Sequence, residues 1–152
     1  MRLELEETVQ APQALVFGVF TDLQQAGEAI DSITKMEVLG KGPVGKGTRF
    51  RETRMMFGKE ATEEMEIAEF DPPRMYMVRG YSCGTEFDTT YRFDGGQRQT
   101  KVTMTMESRP KTLYARVLGP LFGLMMRKTM TKMLDADHAQ LVELCEARAA
   151  EA

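Results

Sequence analysis

The chain has 152 residues, 42% of them hydrophobic and 28% charged, the size of one domain able to bury a core and stay dissolved. A net charge of −3 argues against nucleic acid, since phosphate contacts need a concentrated basic face. No stretch reaches the roughly 18 apolar residues that span a bilayer, so no stable membrane insertion is expected, and the alternating, acidic Met1–Glu7 does not read as a secretory leader.

Cys83 and Cys145 are isolated, with no CxxC or other metal spacing, and read as reduced thiols of a cytoplasmic protein. A single histidine, His138, leaves little for an imidazole metal site or a Ser-His-Asp device. No metal and no cofactor are expected. Thirteen methionines suit an adaptable apolar lining, although codon bias accounts for them equally well.

In chain order, Leu3, Leu5, Glu7 and Val9 alternate with Arg2, Glu4, Glu6 and Thr8, which predicts a half-buried strand over 2–10. Ala11-Pro12 ends it and opens a short apolar helix. Thr21-Asp22 caps a second short helix through about Ala29. A strand at 33–40 leads into Gly40–Gly47, a turn with four glycines and a proline that lacks the order of a phosphate loop. Strands follow at 47–57, 60–70, 74–82, 85–94 and 99–108, split by turn residues at hairpin spacing. Links so short require antiparallel pairing.

After Pro110 the pattern is helical. Gly119-Pro120 is expected to split off a short piece before a helix over about 120–148, some 40 Å long. One face of that helix gathers Met126, Met130, Met133, Leu134, Leu141, Leu144 and Cys145. Its start, Leu118–Met126, is apolar all round, which implies burial on several sides or a waiting partner. A seven-stranded sheet curls, and one helix about 10 Å wide cannot fill it. The space left holds a ligand or a collapsed core of Met and Phe.

The motifs Gly45-Lys-Gly-Thr48-Arg-Phe50, Phe70-Asp-Pro-Pro-Arg74, Thr90-Tyr91-Arg-Phe93 and Ala115-Arg116-Val-Leu-Gly-Pro120-Leu, with the tail Leu141–Glu146, resemble the START/Bet v 1-like (SRPBCC) superfamily, more closely its bacterial polyketide cyclase/dehydrase and lipid-transport group. The resemblance covers nearly the whole chain. It implies an α+β helix-grip fold in which a seven-stranded curved antiparallel sheet wraps a long C-terminal helix, with two short helices between strands 1 and 2. It also implies a pocket for lipids, sterols, polyketides, hormones or quinones, and in some members cyclisation chemistry. His138 stands where a leucine is usual in the group.

If Phe50 points inward, Glu52, Arg54 and Met56 come with it, and Glu52 and Arg54 could orient a polar head or move a proton. The alternative is a surface ion pair. Met65 and Ile67 facing in would bring Glu63 along. The catalytic candidates are therefore Glu52, Arg54 and Glu63. The expected ligand-binding wall is Phe50, Met56, Met65, Ile67, Tyr76, Val78, Phe87, Thr89, Tyr91 and Met104, with Phe122, Met126 and Met130 from the helix. Each of these could equally be plain core. Asp135, Asp137 and His138 cannot converge on one ion within a single helical turn. Asp137 is expected to satisfy a nearby backbone or hydroxyl donor, and His138 to sit at the helix edge.

Three functions fit, for a monomer or homodimer: a binding protein or carrier for a hydrophobic small molecule, a cyclase or dehydratase using an inward Glu or Arg, or a module docking on a protein or membrane surface through helix 118–126. The sequence favours the first, a non-catalytic binding protein or carrier, with the other two as its alternatives.

Overall fold

The computed structural model describes residues 1–56, 58–82 and 84–151, and every side chain among them except that of Phe122. Cys83 and the Phe122 side chain, both singled out above, lie outside the described residues. Strand β1 (Arg2–Val9) is followed by α1 (Gln13–Thr21) and α2 (Leu23–Ala29), then by β2 (Ile33–Leu39), β3 (Arg49–Met56), β4 (Lys59–Asp71), β5 (Met75–Ser82), β6 (Thr85–Gly95) and β7 (Thr100–Pro110), and last by α3 (Leu113–Glu151). The described strands form one curved antiparallel sheet in the order β1-β7-β6-β5-β4-β3-β2. Hairpins build it from β2 to β7. The short helices carry the chain from the β1 edge to the β2 edge, and Asp22 starts α2 by accepting the Gln25 amide.

Directly paired residues of an antiparallel ladder share a face, so the register decides which face looks inward. Phe50 pairs with Met65, Met65 with Gly80, and Gly80 with Phe87. Ile67 pairs with Val78, Val78 with Thr89, and Thr89 with Met106. Phe70, Tyr76, Tyr91 and Met104 form a third such row. Phe50, Ile67 and Tyr76 are buried in the clusters beneath the helices, so all three rows lie on the inner face. Alternation then sends Glu52, Arg54, Met56 and Glu63 inward as well.

Phe17 of α1 meets Phe70, Tyr76 and Phe93 at ring-centroid distances of 5.4, 6.0 and 5.3 Å. Phe20 touches Tyr91 and Phe93, and Tyr76 stacks on Tyr91. This aromatic block fills one end of the curved sheet. Leu23, Phe50 and Ile67 make a smaller cluster under α2.

The expected break at Gly119-Pro120 does not occur. Residues Leu113–Glu151 form one helix with Pro120 inside it. Pro120 removes a single amide, the one that would reach Arg116, and both residues are solvent-exposed, so water can serve the freed carbonyl. The C-terminal half of α3 is held down by buried Asp137, His138, Leu141 and Cys145. The N-terminal half stands out: Ala115 is buried, but Leu113, Tyr114, Leu124 and Met125 are each at least 70% exposed. Burial pushes the Cys145 thiol up to about 12, so it stays protonated and inert.

Candidate functional site

Side chains from β3, β6, α3 and the turn before β2 converge where the middle of α3 crosses the sheet. Glu52 and Arg54 are two residues apart on β3 and therefore share a face. Arg54 Nε donates to Glu52 Oε1 at 2.9 Å, and its Nη2 reaches the same oxygen. Its Nη1 donates to Asp137 Oδ2 at 2.8 Å, and Ser32 Oγ donates to Asp137 Oδ1 at 3.0 Å. Next along α3, His138 points about 100° away around the helix. There its Nε2 shares a hydrogen bond of 3.1 Å with the Tyr91 hydroxyl on β6. Adjacent residues of one helix thus tie two separated strands.

The network places one guanidinium between two carboxylates with little water. The Arg54 and Asp137 side chains are 14% and 7% exposed. Burial works against the Arg54 charge, but Glu52 and Asp137 outweigh it and hold the pKa above its ordinary value. Among the described residues no buried side-chain nitrogen or oxygen lacks a hydrogen-bond partner, the condition on which such a cluster is tolerable. Burial, reinforced by the charges of Glu52 and Asp137, drives the Tyr91 phenol far upward. Tyr91 is a neutral hydroxyl at any physiological pH. Burial lowers His138, with Asp137 and Asp135 opposing.

His138 is thus 3% exposed, a correction to the edge position expected from sequence. The reason is Phe20 and Tyr91, whose rings pack against the imidazole from α1 and β6. Asp137 does take a hydroxyl donor, Ser32. Its stronger partner, Arg54, is 83 residues distant in sequence. No sequence signal points to that contact, because helix periodicity says nothing about which strand a helix crosses.

The three catalytic candidates differ in freedom. Glu52 and Arg54 hold each other. Glu63, directly opposite Glu52 on β4, is half-buried and has no hydrogen bond or ion pair among the described residues. The proposed wall also divides. Phe50, Ile67, Tyr76 and Met104 are buried in side-chain packing. Met56, Met65, Val78, Phe87, Thr89, Tyr91, Met126 and Met130 are half-buried. The backbone of α3 packs along β1, β7, α1 and α2, and it meets β3 and β6 through the long side chains of Arg54 and Tyr91.

The lowered His138 value has a testable sign. Below the ordinary pKa of 6.5, an unfolded chain takes up a proton that the folded one refuses, so stability must fall as pH falls through that region. Thermal melts between about pH 7.5 and 5.5, above the carboxylate range, should show a declining Tm. In His138→Gln, which keeps a partner for Tyr91 but does not titrate, the decline should flatten.

The family described as polyketide cyclase / dehydrase and lipid transport matches residues 1–146. No curated protein matches the chain. Among solved structures, a protein of Thermus thermophilus is similar at 21% identity and a TM-score of 0.67, over 99% of this chain and 98% of its own. The ZhuI aromatase/cyclase of Streptomyces sp. R1128 is similar at 20% identity and 0.70, over 97% and 94%. Truncated norcoclaurine synthase of Thalictrum flavum is similar at 17% and 0.69, over 95% and 92%. At these identities the structures speak for the fold alone, the seven-stranded helix-grip seen here. The family match runs from β1 to the last turns of the long helix, and on that ground the chain belongs to the polyketide cyclase / dehydrase and lipid transport family.

Proposed function

We propose that the chain binds or carries a hydrophobic small molecule, lipid-, polyketide- or quinone-like, between the sheet and the N-terminal half of α3. One observation carries this reading. Thr89, Phe87 and Met65 lie on the inner face yet remain half-buried, beside the aromatic block that seals the other end. An apolar guest that buried about 300 Å² there would gain roughly 7 kcal/mol before the costs of association. Polar groups around the strip set its orientation: the neutral Tyr91 hydroxyl and the carboxylate of Glu63. The family's description, which includes lipid transport, agrees with this. The protein would work in the cytoplasm, as a monomer or homodimer. Organic extraction of the purified protein followed by mass spectrometry should release a lipid-like molecule, or the stripped protein should take up a fatty acid or quinone. A purified protein that releases no such molecule and takes up neither probe would reject the proposal.

A second reading has its own support. Glu63 is an inward carboxylate with no partner among the described residues, opposite the fixed Glu52–Arg54 pair, and as a general base it would take a proton from an enolisable substrate. This is the cyclase or dehydratase reading, and the ZhuI structure is that of an aromatase/cyclase. Glu63→Gln should then abolish turnover of a polyketide-like substrate while leaving uptake intact. Equal turnover would remove Glu63 from the mechanism.

A further inference from the structure

The N-terminal half of α3 presents an outward face that no described part of the protein covers. At about 100° per residue, Leu113, Val117, Leu121 and Leu124 fall within one stripe, with Tyr114 and Met125 along one edge of it. Their exposures run from 62% to 79%. Monomeric proteins rarely leave so continuous an apolar ridge in water. Its charge is equally one-sided. From Ser108 to Leu134 the chain has no Asp or Glu, although the whole protein is net negative. Arg109 and Lys111 within this span are paired to acids of the sheet. Arg116, Arg127, Lys128 and Lys132 have no carboxylate partner among the described residues. A groove beside Leu124 is lined by Arg127, Lys128 and Lys132, with Asp135 at its far end.

We propose that this half-helix docks on the surface of an anionic lipid bilayer, with the leucine ridge in the acyl boundary and the four cations among the headgroups. An exposed apolar ridge joined to unpaired cations is the pattern of an interfacial helix. Tyr114 is of the type that sits at headgroup depth. The ridge cannot span. Leu113–Met125 covers about 20 Å against a hydrocarbon core of about 30 Å, and none of the described helices is long and apolar enough to cross a membrane. A second copy fits the face poorly, because pairing two such half-helices would bring the four cations of each together, with Asp135 the one carboxylate beside them in each copy. The proposal does not depend on whether the protein carries a ligand.

Co-sedimentation of the full chain with vesicles tests it. The protein should bind vesicles of equal parts phosphatidylcholine and phosphatidylserine, and bind pure phosphatidylcholine vesicles much more weakly. Each cation near the anionic surface contributes roughly fivefold, so K128E/K132E should weaken binding by well over tenfold and erase the preference for phosphatidylserine. L121E/L124E alters only exposed side chains, and should fold normally by circular dichroism yet stay in the supernatant. Equal binding to both vesicle types, or no binding to either, overturns the proposal. So does a concentration-dependent dimer that L121E/L124E dissociates in the absence of vesicle binding, which would assign the face to a second copy.

Discussion

Replacing Arg54 with methionine should cost about 3–5 kcal/mol, the largest loss expected of any single polar change, because Glu52 and Asp137 would be left buried with no counter-charge. At about 2–4 °C per kcal/mol for a domain of this size, the melting temperature should drop by roughly 10 °C. The control is the triple variant Arg54→Met, Glu52→Gln, Asp137→Asn. It removes the charges together and should recover most of the loss, since buried ion networks add little net stability over uncharged groups of similar shape. If Arg54→Met alone costs less than about 1 kcal/mol, the cluster behaves as a solvated surface pair, and the geometry at Asp137 is wrong. The triple variant also asks what the charges are for. A protein that folds well with none of them but no longer orients its ligand would show that the network serves binding.

Thr89→Trp should produce the largest change in binding. Thr89 lies in the row between Val78 and Met106, half-buried on the inner face. An indole there would occupy the volume assigned to the guest. Uptake of an apolar probe should weaken by more than tenfold, about 1.4 kcal/mol or more, while denaturant melts move by less than about 1 kcal/mol because Trp suits a strand. A solidly packed interior gives the opposite pattern. The extra bulk would then be forced into occupied space at about 1–3 kcal/mol, with no uptake to lose.

Much of this architecture was legible in the chain because its causes are local. Period-two alternation from Leu3 to Val9, and Gly or Pro turns between later strands, suffice to set antiparallel hairpins. Asp22 acts as a cap because a short side-chain acceptor at that point has an amide to take. The inward set of β3 was open by one residue of register, and pairing of Phe50 with Met65 and of Glu52 with Glu63 closes it in favour of the Phe50 face. Other features were not legible, for reasons equally physical. Gly119-Pro120 looked like a break between a short helical piece and the long helix, yet the loss of one amide in an exposed stretch lets the helix continue. His138 looked like an edge residue because helix projection cannot foresee that α1 brings Phe20 over it. The Arg54–Asp137 contact joins elements whose relative placement only the folded sheet decides. The same limit applied to Leu118–Met126, whose apolar surround was compatible with burial. The fold instead turns much of it outward.

The family and the fold stand on residues 1–146 and on the sheet order. The guest is the step beyond them. Its most direct test uses the protein's own 13 methionines as reporters, in methyl NMR spectra recorded during titration with a long-chain fatty acid or a quinone. Binding between sheet and helix predicts saturable shifts at Met56, Met65, Met106, Met126 and Met130, with Met55, Met75 and Met77 on the outer face unmoved. Shifts confined to the outer set and to exposed Met125, or no saturable shift at all, would contradict it.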